Sequence, residues 1–397
     1  METTEAFSGL SCRSCDGQFE PATGTHRCPA CGGLLDPDYD YDAVELSRTA
    51  LASRPFDSMW RYAALLPFDR EVAVTMDEGA TALVSSPTLA AELGVEHVYI
   101  KDEGRNPTGT FKDRGASLAV TAARQHGATD VALASAGNAG QSVAAYAGRA
   151  NIDAHIFLPA RAAFTTKAMV NVHGADLTVG GGGLREAGEA CADARSANDD
   201  WYPLSSFHTP YRHEGKKTIY YEVAEQLEWE TPDAVVYPTG GGVGLVGMVK
   251  AARELQTLGL TDSIPSFYAA QASGCAPIVD AFEAGRSVHD PVTHPDTICG
   301  GIEVPDPAGS EWILEALSES NGGAVATEDA EILDAAVTVA HAEGLECAPT
   351  AAAAASGAWK LAESGAFDDD ATVVIVNTGT GSKEADVLRS HLMSKGI

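Results

Sequence analysis

The chain has 397 residues, 45% of them hydrophobic, which is long enough for two medium domains with real cores plus a small appendage. It carries 56 acidic against 26 basic side chains, a formal net charge of −30, so free nucleic acid would be repelled. No stretch reaches the length of a membrane span, and the N-terminus lacks a basic region followed by an apolar one, so a soluble, cytoplasmic protein is expected. The acidic residues are dispersed (Asp36 to Asp42, Asp199-Asp200, Asp368 to Asp370) rather than gathered into one tail. That pattern predicts a solvated, salt-tolerant surface of halophilic type; a partner-binding acidic face is the alternative.

Residues 1–40 differ from the rest in composition, with turn residues throughout and two pairs, Cys12-x2-Cys15 and Cys28-x2-Cys31, separated by twelve residues. Glycine after the second thiol of Cys28-Pro-Ala-Cys31-Gly-Gly permits the reversed backbone of a knuckle. Four thiolates favour tetrahedral zinc with no open position, hence a structural zinc ribbon at Cys12, Cys15, Cys28 and Cys31; a redox dithiol is the competing reading. Cys191, Cys275, Cys299 and Cys347 are scattered, so there is no disulfide framework.

Residues 41–80 read as a helical linker whose apolar part is Arg61 to Leu66. From about residue 83, short apolar runs alternate with helical segments. Strands are expected at 98–100, 131–135, 155–159, 177–179, 234–237, 267–271 and 372–376, with helices over 111–125 and 139–149. This alternation predicts an α/β fold with parallel sheets covered on both faces, and ligands in such sheets sit beyond the carboxyl ends of the strands.

Four strand-end turns carry candidate chemistry. In Asn106-Pro-Thr-Gly-Thr-Phe-Lys112-Asp-Arg-Gly115, Thr110 can cap a helix whose first turn holds Lys112. Lysine is scarce, nine in the chain and none before Lys101, and a helix N-terminus disfavours an ammonium ion, so Lys112 is a candidate nucleophile. The turn Ser135-Ala136-Gly137-Asn138 offers helix-start amides to a carboxylate and a side-chain amide to a ring oxygen. The loop Gly240-Gly241-Gly242-Val243-Gly244 lacks both the P-loop lysine and the spacing of a dinucleotide site, which leaves exposed amides suited to one phosphate. Last, Thr378 follows a C-terminal hydrophobic strand and brings a hydroxyl to the same kind of position. An activated lysine, a monophosphate loop, an amide for a ring oxygen and a hydroxyl for a ring nitrogen together describe a pyridoxal phosphate pocket.

On these residues, and on Arg61-Tyr62, Asp77-Glu-Gly79, Lys101 to Gly115, Arg212-x-Glu214-Gly215 and Thr378 to Lys383, the chain resembles fold-type II pyridoxal phosphate enzymes, and within them the threonine synthase family. The resemblance implies two α/β domains of the tryptophan synthase β type with the cofactor in the cleft between them. The larger spans 81–112 and 206–397, and the smaller, 113–205, is inserted within it. Lys112 would carry the cofactor as a Schiff base and shuttle protons. Residues Gly240 to Gly244 would hold its phosphate, Asn138 would face its 3-hydroxyl, and Thr378 its ring nitrogen. Ser135, Ala136, Gly137 and Asn138 would grip the substrate α-carboxylate, with Arg212, helped by Lys101 or Thr110, as anion anchor. A helix-surface salt bridge is the other reading of Arg212. The implied reaction converts O-phosphohomoserine and water to threonine and phosphate, in a homodimer.

Three departures bear on the substrate. Thr209-Pro210-Tyr211 stands where the family usually has Asn-Pro before the arginine, the glycine loop lacks the family's frequent asparagines, and Ala80-Thr81-Ala82 replaces Thr-Pro after Glu-Gly. The cofactor pocket thus matches more closely than the substrate-phosphate pocket, and a serine/threonine ammonia-lyase or a cysteate synthase-like β-replacement enzyme stays open as the alternative. A non-enzymatic zinc-ribbon interaction protein would require none of the four turns.

Overall fold

The computed structural model describes residues 1–20 and 26–396. Strands β1 (Phe7–Cys12), β2 (Gln18–Phe19) and β3 (Leu35–Tyr39) form a small antiparallel sheet in the order β2-β1-β3. Strands β4 (Leu83–Ser85) and β5 (His97–Asp102) belong to a six-stranded sheet completed later in the chain. Between them and its remaining strands come β6 (Asp130–Ala134), β7 (Asp153–Leu158), β8 (Asp176–Val179) and β9 (Tyr202–Pro203), a parallel sheet in the order β8-β7-β6-β9. Strands β10 (Ala234–Pro238), β11 (Ser266–Ala272), β12 (Gly323–Thr327) and β13 (Thr372–Asn377) complete the larger sheet, ordered β12-β11-β10-β13-β5-β4. All its pairings are parallel except β4 with β5, so the sheet is mixed at one edge. No helix among the described residues is long and apolar enough to cross a membrane.

The described residues form two compact units. One contains Met1–Ala80 and Lys112–Ile219; the other contains Thr81–Phe111 and the chain from Tyr220 onward. The segment read as a linker differs from expectation. It holds a five-residue helix, Arg48–Ala52, and a kinked 3-10 stretch, Met59–Leu65, and its Met59, Trp60, Leu66, Phe68 and Val74 are core residues of the first unit. The buried Glu78 carboxylate fixes this segment, accepting from Trp60 Nε1 at 2.7 Å, Tyr146 Oη at 2.7 Å and the Met76 amide at 2.9 Å. A buried carboxylate survives only with such a donor set. The same core includes Val131, Leu133, Ile156 and Leu158 from β6 and β7.

Within the same unit, the helix Lys112–Gln125 crosses the short helix Tyr211–Lys216 at glycine on both sides. A Cβ on Gly115 would lie 2.8 Å from the Arg212 carbonyl oxygen, and one on Gly215 would run into the carbonyl of Arg114. The two backbones therefore approach more closely than any side chain allows. In the second unit, β13 (Thr-Val-Val-Ile-Val-Asn) is buried along almost its whole length, as a central parallel strand covered on both faces must be. Gly215→Ala is expected to destabilise the protein by about 2 kcal/mol through overpacking, read as a lowered urea midpoint; an unchanged midpoint would contradict the close crossing.

Candidate functional site

In the second unit, three of the predicted turns leave the carboxyl ends of neighbouring parallel strands, because β10 pairs with β13 and β13 with β5. After β5 the chain enters the lysine loop. Asn106 Nδ2 donates to the Glu103 carboxylate at 2.9 Å, and the Gly109 amide donates to the Asn106 carbonyl at 2.7 Å. Gly109 has φ +80, open to glycine and strained for other residues. The loop is stitched to the turn after β13: the Phe111 amide donates to the Thr378 carbonyl at 3.0 Å and the Thr380 amide to the Gly109 carbonyl at 3.1 Å. Thr110 is buried and forms a bridge with Gly379. Phe111 packs edge-on to Tyr237 at 6.0 Å, which fixes the residue immediately before Lys112. Thr378 is buried as a residue, and its hydroxyl has no hydrogen-bond partner among the described residues.

After β10, Gly242 adopts φ +68 and caps the helix Val243–Thr257, which has no side-chain cap. Its first-turn amides are left for an anion. Packing requires glycine here: a Cβ on Gly242 would strike Ile313, one on Gly244 the Tyr237 phenol, and one on Gly240 would sit 2.9 Å from the Ile302 backbone. Gly241 meets nothing within 4 Å and lies open. Lys101, one suggested helper of the anion anchor, is committed elsewhere. It is buried and its ammonium donates to Glu222 at 2.7 Å, the Thr81 carbonyl at 2.7 Å and Gln226 at 2.9 Å.

In the first unit, Lys112 begins its helix close to Arg212 and Lys216. Lys112 keeps partial exposure, yet the protein packed around its ammonium desolvates it; burial first, and then the charge of Arg212, lower its pKa to about 7. Desolvation is thus the first cause and a neighbouring like charge the second. Burial also lowers Arg212, to about 10, and burial with the charges of Lys112 and Arg212 pushes Lys216 well down. Arg212 is buried and no carboxylate pairs with it among the described residues, so the surface salt bridge is excluded. It donates to the Leu204 carbonyl at 3.1 Å and to Ser206 Oγ at 3.3 Å, while its Nε finds no acceptor among the described residues. A buried guanidinium with an unanswered Nε keeps donor capacity. Sequence reasoning passed over Lys216, although the scarcity of lysine and its place just after Gly215 were available signals.

The turn after β6 is built around Ser135, whose hydroxyl accepts from the Gly137 and Gly140 amides at 3.0 and 3.1 Å. That hydroxyl shapes the turn, and Gly137 at φ +151 completes it. Half-buried Asn138 opens the helix Asn138–Ala150, and its side chain has no hydrogen-bond partner among the described residues. Elsewhere in this unit, the thiol sulfurs of Cys12, Cys15, Cys28 and Cys31 all lie within 4.8 Å of one another, with Cys12–Cys31 and Cys15–Cys28 each at 3.5 Å. Tetrahedral zinc with about 2.3 Å bonds needs sulfurs about 3.8 Å apart, so the four could hold one ion. Each pair turns through a positive-φ residue, Asp16 at +55 and Gly32 at +73.

Comparison with known proteins places this arrangement. Residues 74–379 match the family model described as pyridoxal-phosphate dependent enzyme. The chain belongs to the pyridoxal-phosphate dependent enzyme family. It is 37% identical over 371 residues to the threonine synthase of Methanosarcina acetivorans, covering 93% of this chain and 91% of the relative. It is 34% identical to that of Methanocaldococcus jannaschii, over 94% and 93% of the two chains. In fold it is similar to maize serine racemase, with a TM-score of 0.67 at 20% identity over 80% of this chain and 94% of that one.

For a family member, the residues present fit the cofactor's chemistry. An amine with its pKa lowered to about 7, an amide and a hydroxyl without partners among the described residues, and an uncapped helix start behind a glycine cradle are the groups an aldehyde, a ring and a phosphate require. In protein stripped of cofactor, capture of pyridoxal phosphate is expected to accelerate as pH rises through about 7, because the neutral amine reacts. Arg212→Gln removes a like charge and is expected to move that half-point upward; a wild-type half-point near the ordinary 10.5 would contradict the assignment.

Proposed function

We propose that the protein converts O-phosphohomoserine and water to threonine and phosphate, with Lys112 as the residue that carries pyridoxal phosphate. The observation that carries the reading is Arg212, a buried cation beside Lys112 with no carboxylate partner among the described residues, in a chain similar to threonine synthases over nearly their whole length. Pyridoxal phosphate, when bound, supplies an electron sink for negative charge developing on substrate carbon. Gly240, Gly241, Gly242, Val243 and Gly244 would hold its phosphate through backbone amides. Asn138 would donate to its ring oxygen, and the Thr378 hydroxyl would meet its ring nitrogen.

The remaining roles belong to the substrate. Amides of the Ser135-Ala136-Gly137-Asn138 turn bind the α-carboxylate, with the Ser135 hydroxyl keeping the turn in shape. Arg212 binds the substrate phosphate, and Thr110 closes that side of the lysine loop. The Lys112 amine takes protons from the α and β carbons as phosphate leaves the γ carbon, and returns protons to the γ and α carbons while water adds its hydroxyl at the β carbon and its proton goes to the departing phosphate. A pKa near neutrality lets one amine serve as base and acid by turns. The four cysteines bind one structural zinc ion. By resemblance the protein is a homodimer, and its dispersed acidic surface suits a salt-rich cytoplasm; a monomer in sedimentation would remove the first of these.

Purified enzyme given O-phosphohomoserine should release threonine and phosphate in equal amounts. Release of 2-oxobutyrate from threonine, with no turnover of the phosphate ester, would instead make it an ammonia-lyase, the reading favoured by a glycine loop without asparagine. Borohydride reduction should fix the cofactor mass to the Lys112 peptide, and Arg212→Gln should lower kcat/KM for O-phosphohomoserine about a hundredfold. Elemental analysis should find one zinc per chain, lost on Cys12→Ser.

A further inference from the structure

The helix bearing Arg212 and Lys216 has only six residues, Tyr211–Lys216, and no side-chain cap at its start. Only Lys217, itself in helical conformation, separates its end from the helix Thr218–Gln226, so it is the uncapped start, next to Arg212, whose placement depends on what packs against it. One face crosses the lysine helix at Gly115 and Gly215. The other is tied to the cysteine ribbon by two polar joints. In the first, Asp36 of β3 accepts from Arg13 through Nε at 3.0 Å and Nη2 at 2.5 Å on one oxygen, and faces His213 Nε2 at 2.9 Å with the other. Arg13 itself lies inside the first cysteine pair, between Cys12 and Cys15. In the second joint, Tyr39 Oη donates to Glu214 Oε1 at 2.6 Å, and Lys217, ion-paired with Glu214, stands over the Tyr39 ring at 4.2 Å.

Asp36, His213 and Glu214 also lie close enough to one another to suggest a metal site. The cations already on the two carboxylates, Arg13 and Lys217, argue against it: these oxygens are occupied as acceptors by the protein itself. The cluster is a polar joint. Asp36, Tyr39, His213 and Glu214 are all buried, where hydrogen bonds are strong and a missing partner is costly. Consecutive residues thus face opposite duties, Arg212 toward the anion and His213 and Glu214 toward the ribbon.

We propose that Asp36 and Tyr39 are positioning residues for Arg212, so that the cysteine ribbon sets the affinity of the site for a phosphate ester without touching it. The inference rests on the reading of Arg212 as the phosphate anchor. A chain of single contacts runs from the cysteine knuckle through Arg13 and Asp36 to His213, and from there along one peptide bond to Arg212. Loosening either joint lets the start of the six-residue helix shift, and a bidentate guanidinium contact tolerates little displacement.

The test uses holoenzyme and inorganic phosphate. Asp36→Asn and Tyr39→Phe should each raise the phosphate Kd and the KM for O-phosphohomoserine about fivefold to tenfold, with kcat held within about twofold. Cofactor absorbance and zinc content should stay at wild-type values. In an Arg212→Gln background the same substitutions should add nothing to the phosphate Kd, because the group they position is gone. Tyr39→Phe removes one hydroxyl and keeps the ring under Lys217, so it decides the matter if Asp36→Asn folds poorly. An unchanged phosphate Kd in Tyr39→Phe, or an equal loss in the Arg212→Gln background, overturns the positioning role while leaving Arg212 as the anchor. An unchanged Kd in Arg212→Gln alone overturns the anchor reading and this inference with it.

Discussion

Lys112, Arg212 and Lys216 stand together in protein interior, and their mutual repulsion and desolvation govern the chemistry of the site. Collecting cations away from water is unfavourable unless something anionic completes them or one gives up its proton. Burial and the charge of Arg212 lower the Lys112 pKa to about 7, and the Arg212 Nε finds no acceptor among the described residues. The glycine crossing of the two helices is what holds these groups so near one another, since a methyl group at Gly115 or Gly215 would separate the backbones.

The same cluster answers a difficulty set by the composition. A protein of net charge −30 repels a doubly charged phosphate ester at long range, more so at low salt. Recognition must then come from short-range donors screened from the acidic surface. In the second unit the helix Val243–Thr257 starts without a side-chain cap, behind glycines that packing against Ile313, Tyr237 and Ile302 demands. Fixed dipoles and few buried cations suit anionic ligands without altering the surface charge.

Much of the fold was legible because buried parallel strands write themselves as apolar runs ended by glycine or polar turns. β6, β10 and β13 read that way, and the lysine, serine and glycine turns follow from them. The segment 41–80 was not legible as core, because its apolar residues lie in short 3-10 stretches without helical period, and its organising contact, Glu78 with Trp60 and Tyr146, joins positions that local sequence does not link. Lys101 looked like an anion ligand because it neighbours the lysine loop; its true partner, Glu222, lies 121 residues away. Arg212 could be read as a surface ion pair because its sequence neighbours do not show that it is buried, with no carboxylate paired to it among the described residues. The joint between Asp36 and His213 spans 177 residues and leaves no mark in either segment alone.

Lys112 feels the charge of Arg212, so an anion bound at that guanidinium would be felt at Lys112 as well. The most direct measurement is the titration of the Lys112 amine in cofactor-free protein, followed by carbon-13 signals of its reductively methylated form, with and without saturating inorganic phosphate. Bound phosphate offsets the neighbouring positive charge, so the account predicts that the titration midpoint rises from about 7 and that phosphate binds more tightly as pH falls through that range. A midpoint that ignores phosphate would contradict it.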